Sequence, residues 1–127
     1  GLLFIAAGGA IGAIMRYLVC ELTYKFTTLA APWGTIIVNL LGCLIIGILW
    51  GLFDVFPVHN NTKMFLLVGI LGAFTTFSTF ALENFNLFKS GEISLLVMNV
   101  SISNIVGILL VFGGYYLSKS FLAGINR

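Results

Sequence analysis

Long apolar segments alternate with short polar segments along this chain. The apolar segments cover about residues 2–19, 33–56, 64–88 and 93–117. Each is close to the roughly 20 residues that a helix needs to cross a bilayer. Pro32 comes just before the second segment, a position where proline suits the first turn of a helix. The pattern predicts an all-α integral membrane protein with four transmembrane helices, forming one domain over residues 1–127.

The third apolar segment contains a run that suits an unbroken helix poorly. Residues 69–80 hold two glycines, four hydroxyl residues and three phenylalanines. Glycine costs a helix about 1 kcal/mol relative to alanine, and Ser and Thr offer the backbone competing hydrogen bonds. We therefore predict that the third helix is broken near its middle, as helices are at many ion and substrate sites. A continuous helix, with its Ser and Thr bonded to the preceding turn, is the alternative.

Composition places the chain in a membrane and makes several other classes improbable. Of its 127 residues, 60% are hydrophobic and 8% are charged, too apolar for a soluble domain of this size. Cys20 and Cys43 lie inside apolar segments, which argues against a disulfide framework or a metal site. The net charge of +2 gives no reason to expect a nucleic-acid partner. No Ser, Cys or His has a plausible catalytic partner, so we expect no enzyme.

Basic residues are divided almost evenly between the two sides of the predicted bundle. Four spans put Lys63, Lys119 and Arg127 on one side and Lys25 and Lys89 on the other. An excess of basic residues normally fixes the orientation of a membrane protein, so this chain is expected to insert both ways. Four short helices cannot easily enclose a pore. An antiparallel homodimer is therefore the natural inference.

Two glycine pairs predict close contacts between helices. Gly8 with Gly12, and Gly47 with Gly51, have the GxxxG spacing that lets membrane helices approach closely. The spacing does not identify which helices meet.

Polar side chains inside the first two spans are candidates for the functional site, because such groups usually face the bundle interior or a cavity. Arg16 is expected to reach the interface or to make a structural hydrogen bond, and a direct anion ligand is the sharper alternative. Asn39 is either a hydrogen-bonding link between helices or an NH₂ donor for a passing anion.

The last two spans carry further polar candidates. Glu83 fits a proton-coupling carboxylate, an electrostatic group at a pore mouth, or an interfacial residue. In the fourth span Ser101, Ser103 and Asn104 lie close together in sequence. We choose Asn104 as the pore-lining candidate, because serine satisfies itself on its own helix more readily.

Four stretches of the chain together carry a family resemblance. They are the glycine-rich residues 8–17, residues 34–42 around Asn39, the run Thr-Thr-Phe-Ser-Thr-Phe at 75–80, and Glu83. Their order and the four-helix layout resemble the small dual-topology fluoride channels, the Fluc or CrcB family. The resemblance implies an antiparallel homodimer with two pores in the bacterial inner membrane. It also implies passive export of fluoride from the cytoplasm, which protects the cell against fluoride toxicity.

The same resemblance implies a structural sodium ion at the centre of the dimer. Its ligands would be the main-chain carbonyls of Gly72 and Thr75 from both subunits, and oxygen ligands suit a hard cation. The family often has a second glycine where this chain has Ala73. Because Gly72 is present, we expect the sodium site to be retained.

The resemblance also implies where the pore lies. Phe77 and Phe80 correspond to the family's phenylalanine pair, whose ring edges carry the positive end of the aromatic quadrupole. Alignment on Gly107 puts Asn104 on the polar track of the fourth helix, but Ile108 stands where a hydroxyl residue is common. The implied pore and electrostatic residues are Arg16, Asn39, Phe77, Ser78, Thr79, Phe80, Glu83 and Asn104.

Two other classes of protein fit a four-helix layout. A proton-coupled exporter of small cations, of the small multidrug type, needs a carboxylate within its first helix, whereas this helix has Arg16 and no carboxylate in its core. A helical assembly subunit without transport activity leaves the hydroxyls and phenylalanines of one broken helix unexplained. The sequence therefore favours the fluoride channel.

Overall fold

The computed structural model describes residues 1–27 and 31–125 of the chain. Within these residues, four helices are long and apolar enough to cross a membrane: α1 (Leu2–Phe26), α2 (Trp33–Val55), α3 (Asn60–Lys89) and α4 (Ile93–Ile125). The predicted all-α architecture with four candidate spans is confirmed. Arg127, one of the basic residues counted above, lies outside the described residues.

Two helices continue beyond the limits that the apolar pattern indicated. α1 runs through residues 20–26, where the sequence suggested that the span had ended, and α4 runs on to Ile125 instead of ending near Leu117. Hydroxyl side chains there bond to their own helix: Thr23 Oγ1 donates to the Val19 carbonyl at 2.7 Å. Ser118 Oγ donates to the Tyr115 carbonyl at 2.9 Å. Because these groups are satisfied locally, the helices extend past their most apolar parts.

α1 packs against the first half of α3. A Cβ atom at Gly12 would collide with the backbone of Ile70, and one at Gly8 would collide with the carbonyl of Phe65. Gly69 on α3 faces Gly8 in the same way. These glycines form the α1–α3 seam, where two backbones approach more closely than any larger residue allows.

α2 packs along α4 in the same manner. A Cβ atom at Gly47 would collide with the Val111 carbonyl, and one at Gly51 with the Ser118 hydroxyl. Gly114 meets the Leu44 carbonyl from the α4 side. Both GxxxG pairs therefore make close helix contacts, as predicted, and they do so within one subunit.

A polar cluster joins α2 to α4 at one end of the bundle. Tyr115 Oη donates to Asp54 Oδ2 at 2.5 Å, and Lys119 Nζ lies 3.5 Å from the same oxygen. The Lys119 and Asp54 side chains are 39% and 41% exposed, so the ion pair adds little to stability. The Tyr115 hydrogen bond is the more specific link between the two helices.

The surface of the subunit is largely apolar. Large exposed side chains are found on every helix, among them Leu18, Trp50, Phe88 and Phe112. Buried hydrophobic residues are few, and several adjoin Asn39 or the middle of α3 in sequence: Ile36, Val38, Leu71, Phe74 and Phe80. Such a surface suits lipid or another subunit, and several of the few buried side chains lie near the middle of α3.

Candidate functional site

α3 is interrupted at Thr75 and Thr76. Thr75 has φ −90° and ψ 159°, and Thr76 has φ −152° and ψ 125°, so both are extended. Residues on either side are helical, and the second half of α3 is Phe77–Lys89. The predicted break is confirmed, and the alternative of a continuous third helix is wrong.

Widened helical turns lead into the break. Met64–Leu71 forms a π-helix immediately before the last α-helical turn of the first half. A shorter π-helix, Ile102–Val106, lies within α4. π-helical segments are rare and are often found at functional sites. The apolar residues of Met64–Leu71 fit an α-helix equally well, so no sequence pattern predicted a π-helix here.

Asn39 of α2 bridges the break with both ends of its amide. Its Nδ2 donates to the Thr76 carbonyl at 3.0 Å, and its Oδ1 accepts from the Thr76 backbone N–H at 2.8 Å. The interruption deprives these backbone groups of helical partners, and such groups are costly to leave unpaired in a membrane. Asn39 is therefore a link between helices, the first of the two roles considered for it, and one of its N–H groups remains available.

Arg16 of α1 forms a hydrogen bond at the C-terminal end of the first half of α3. Its Nε donates to the Ala73 carbonyl at 3.1 Å. The last four carbonyls of a helix have no partner within that helix, and a cation near them is favourable. Arg16 therefore makes the structural hydrogen bond that was its main expectation, and the residue that replaces the usual glycine supplies the acceptor.

A cluster of hydroxyl groups marks the start of the second half of α3. Thr76 Oγ1 accepts from the Thr79 backbone N–H at 3.3 Å, which makes Thr76 the N-cap residue. The same oxygen donates to Thr79 Oγ1 at 3.1 Å and lies 3.5 Å from Ser78 Oγ. Thr75 Oγ1 instead bonds back to the Leu71 carbonyl at 2.8 Å. Ser78 and Thr79, both predicted site residues, thus lie beside the capping hydroxyl.

An open groove of about 410 Å³, the break groove, lies against the interruption. Gly42 of α2 makes room here, since a Cβ atom at that position would collide with the Thr75 side chain. Within the described part of the chain, no side chain donates a hydrogen bond to the carbonyl of Gly72 or Thr75. The groove is lined by Asn39, Gly42, Cys43, Ile46, Leu67, Leu71, Gly72, Thr75, Thr76 and Phe77.

Phe77 and Phe80 follow the break and form a tilted aromatic pair. Their ring centroids are 5.7 Å apart and their planes make an angle of 49°. Phe80 is 7% exposed, whereas Phe77 is 77% exposed. The pair therefore projects one ring into the subunit and one outward from it.

Glu83 lies one turn beyond Phe80 and bonds to α2. Its Oε1 accepts from Thr35 Oγ1 at 2.7 Å. Its Oε2 is buried and has no hydrogen-bond partner within the described residues. The carboxylate is thus half-buried between α2 and α3, and the three roles considered for it stay predictions.

On the fourth helix, Asn104 and Ser103 both bond to groups of their own helix. Asn104 is exposed, and its Nδ2 donates to the Val100 carbonyl of the same helix at 2.8 Å. Ser103 donates to Asn99 Oδ1, also on α4, at 3.2 Å. The tendency of serine to bond its own helix therefore does not distinguish Ser103 from Asn104, and a role of Asn104 in a pore stays a prediction.

Two residues at this site were missed from the sequence. Thr76 was one of several hydroxyl residues, and only the position of the break identifies it as the N-cap. Asn99 is completely buried and donates to Asn84 Oδ1 at 2.8 Å. Its position inside an apolar span, four residues before Ser103, was the available signal.

Comparison with known proteins identifies relatives over nearly the whole chain. Residues 3–115 match the family described as CrcB-like protein, Camphor Resistance (CrcB). A fluoride-specific ion channel FluC of Maridesulfovibrio salexigens is 40% identical over 118 residues, which cover 92% of this chain and 94% of the relative. A protein of the same name from Dehalococcoides mccartyi is 44% identical over 120 residues, covering 93% and 92%. The corresponding protein of Leptospira interrogans is 44% identical over 121 residues, covering 94% and 95%.

The comparisons agree with the helices and with the resemblance drawn from the sequence. The relatives are named ion channels, which are not enzymes. Four apolar helices long enough to span a bilayer make this a multi-pass membrane protein. On the match of the family model and on identities of this size over nearly the full length, the chain belongs to the CrcB family.

Proposed function

We propose that this protein is a fluoride-selective channel that lets fluoride leave the cytoplasm passively. The observation that carries the proposal is the break of α3, fixed by Arg16 and Asn39, in a chain whose relatives are named fluoride-specific ion channels. A bacterial inner membrane fits such a protein. Passive exit would protect the cell against fluoride toxicity.

The groups near the break suit a small and strongly hydrated anion. Asn39 has an N–H left after its bond to Thr76, and Ser78 and Thr79 carry hydroxyl donors. The rings of Phe77 and Phe80 offer partly positive edges. Several weak donors let an ion enter without trapping it, as conduction requires. We assign these five residues to the permeation path, with Asn104 as a further donor on α4.

The proposed active unit is an antiparallel homodimer with two pores. Phe77 is 77% exposed and the break groove is open, so a second subunit has a surface on which to pack. Four short helices cannot easily enclose a pore by themselves. A second subunit packed against the break would supply the pore walls that one subunit lacks.

A structural sodium ion at the dimer centre fits the groups available. Gly72 and Thr75 line the break groove, and their carbonyl oxygens accept no side-chain hydrogen bond within the described residues. Two oxygens are too few for a hard cation, whereas the four from two subunits approach a usual ligand set. The ion would supply fixed positive charge. Arg16 and Asn39 would hold the backbone that carries the ligands.

Fluoride flux from liposomes tests the function. The purified protein would be reconstituted into vesicles loaded with potassium fluoride, and external fluoride would be followed with an electrode after valinomycin is added. Matched vesicles loaded with potassium chloride would measure selectivity. We expect rapid release of fluoride and retention of chloride.

Two results would count against the channel. Release of both anions would exclude selectivity for fluoride. No release from well-folded dimers would contradict fluoride conduction altogether, and proton-coupled export of a small cation would then be the next activity to assay.

A further inference from the structure

Asn84 of α3 and Asn99 of α4 form a buried link that the proposed permeation path does not use. Asn99 Nδ2 donates to Asn84 Oδ1 at 2.8 Å, and Asn99 Oδ1 accepts from Ser103 Oγ at 3.2 Å. Asn99 has no exposed surface. Among the residues that the structure describes, this is the only side-chain hydrogen bond between α3 and α4. Because the Asn99 side chain is fully buried, water cannot replace the hydrogen bond that it donates to Asn84.

The second half of α3 needs such a link because the break separates it from the first half. Its 13 residues, Phe77–Lys89, are not joined to residues 72–74 by a continuous ladder of helical hydrogen bonds. Side chains must therefore set its rotation about its own axis. Asn39 holds its beginning through Thr76, and Asn84 makes the link to α4 two turns further on.

Asn84 shares a helix face with the aromatic pair. Phe77, Phe80 and Asn84 stand at positions i, i+3 and i+7, which lie on one side of an α-helix. A rotation that breaks the bond between Asn84 and Asn99 would therefore turn both rings as well. The link and the rings are parts of one rigid element.

We propose that Asn99 is a positioning residue that, through Asn84, sets the rotation of the second half of α3 and thereby the place of the Phe77 and Phe80 rings. An amide pair suits this task because each amide offers a donor and an acceptor in fixed directions. The effect on transport rests on the proposed fluoride conduction. The effect on ring position does not.

Single and double substitutions distinguish this role from simple packing. Asn84→Leu leaves the buried amide of Asn99 without its acceptor, and Asn99→Leu leaves Asn84 and Ser103 without theirs. Replacing both asparagines removes most of the unpaired groups, so the effects of the two substitutions should not be additive. We expect each single variant to lower fluoride efflux per folded dimer about tenfold, and the double variant to recover most of it. Asn86→Leu is the matched control, since Asn86 is exposed on the same helix half.

A spectroscopic probe reads the ring position without transport. 4-Trifluoromethylphenylalanine would replace Phe77, which lies two turns from Asn84, and its ¹⁹F resonance would be recorded in lipid nanodiscs. We expect both single variants to shift the resonance, the double variant to return it, and Asn86→Leu to leave it unchanged.

The possible results separate this inference from the proposed function. If both single variants keep the wild-type resonance and the wild-type efflux rate, the positioning role is wrong. Loss of folded protein with a normal resonance and rate in the remainder would mean packing alone, and would also overturn it. If the wild-type protein conducts no fluoride, the proposed function fails, and the resonance alone decides the role of Asn99.

Discussion

At the scale of single residues, the interruption of α3 depends on polar groups supplied by other helices. Asn39 pairs the N–H and the carbonyl of Thr76, and Arg16 pairs the carbonyl of Ala73. In hydrocarbon, each such backbone group left unpaired costs several kcal/mol. Two side chains from two helices therefore make an otherwise unfavourable backbone stable at the middle of the span.

Removal of Asn39 should destabilise the folded protein more than removal of an exposed asparagine. Asn39→Leu leaves the N–H and carbonyl of Thr76 without partners, and we expect it to lower the free energy of unfolding by about 1–3 kcal/mol for each group. Denaturant unfolding in detergent would measure it. Asn60→Leu is the control, because Asn60 is exposed and, within the part of the chain that the structure describes, its side chain bonds only Met64 Sδ, at 3.7 Å. Equal stability of the two variants would contradict the bridging role.

Phe80 should matter for transport through its ring edge rather than through its bulk. Phe80→Ile keeps a large apolar side chain but removes the aromatic quadrupole, and we expect fluoride efflux to fall by up to about tenfold. The liposome assay above would measure the rate. Phe112→Ile, at an exposed ring of α4, controls for the loss of an aromatic residue. Wild-type fluoride efflux through Phe80→Ile would refute the ring-edge role.

The sequence identified most polar residues of this region but could not say what they bond. Asn39 had two open interpretations, because the choice depends on a backbone group 37 positions away. Asn104 was preferred to serine on a tendency of serine to bond its own helix, yet Asn104 itself bonds the Val100 carbonyl. Ser103 and Asn104 both find their partners on α4 itself, so a tendency of serine to bond its own helix could not decide between them.

At the scale of elements, the α1–α3 seam positions the segment that leads into the break. Gly8 and Gly12 lie against Gly69 and the backbones of Phe65 and Ile70, within or next to the π-helix Met64–Leu71. Close backbone contact along these turns fixes the first half of α3 on α1. The carbonyls that follow, at Gly72 and Thr75, depend on this contact for their position.

Two glycines of α1 give a matched test of the seam. Gly12→Ala would drive a Cβ into the Ile70 backbone, whereas Gly9→Ala meets nothing within 4 Å. Overpacking costs about 1–3 kcal/mol, while alanine in an open helical position gains up to about 1 kcal/mol over glycine. We expect Gly12→Ala to lower the unfolding temperature and Gly9→Ala to maintain or raise it. The opposite order would mean that the seam does not limit the approach of the two helices.

The existence of the four helices and the break of the third followed from apolar length and from clustered Gly, Ser and Thr residues. Their ends did not, because Thr23 and Ser118 satisfy themselves and let the helices run on. The π-helix Met64–Leu71 left no trace in composition. Gly69 and Ile70, which approach α1 closely, lie within this π-helix.

At the scale of the whole molecule, the open face at the break argues for a second subunit. Gly72 is exposed and Phe77 is 77% exposed, beside carbonyls that have few partners. Lipid can cover an apolar ring but offers nothing to carbonyl oxygens. A second copy with a shared cation satisfies both needs.

Removal of sodium should therefore weaken the dimer. We expect purified protein to show a higher unfolding temperature and a larger dimer fraction in sodium chloride than in N-methylglucamine chloride at the same ionic strength, since a bound ion stabilises the state that binds it. Sedimentation in detergent would measure the dimer fraction. An identical result in the two salts, after exhaustive exchange, would count against a structural sodium ion.

The orientation of the chain in the membrane can be tested by adding basic residues on one side, because basic residues near the ends of the spans decide the orientation. Asn60→Lys with Asn61→Lys should force one orientation, and Ser90→Lys should favour the other. If the dimer is antiparallel, the double-lysine protein produced alone should lose fluoride efflux in cells, and co-expression of both biased forms should restore it. Labelling of the thiol of Thr62→Cys, in a chain with Cys20→Ser and Cys43→Ser, would report the orientation of each form. Full efflux from a form labelled on one side only would require a parallel dimer, because every subunit would then point the same way.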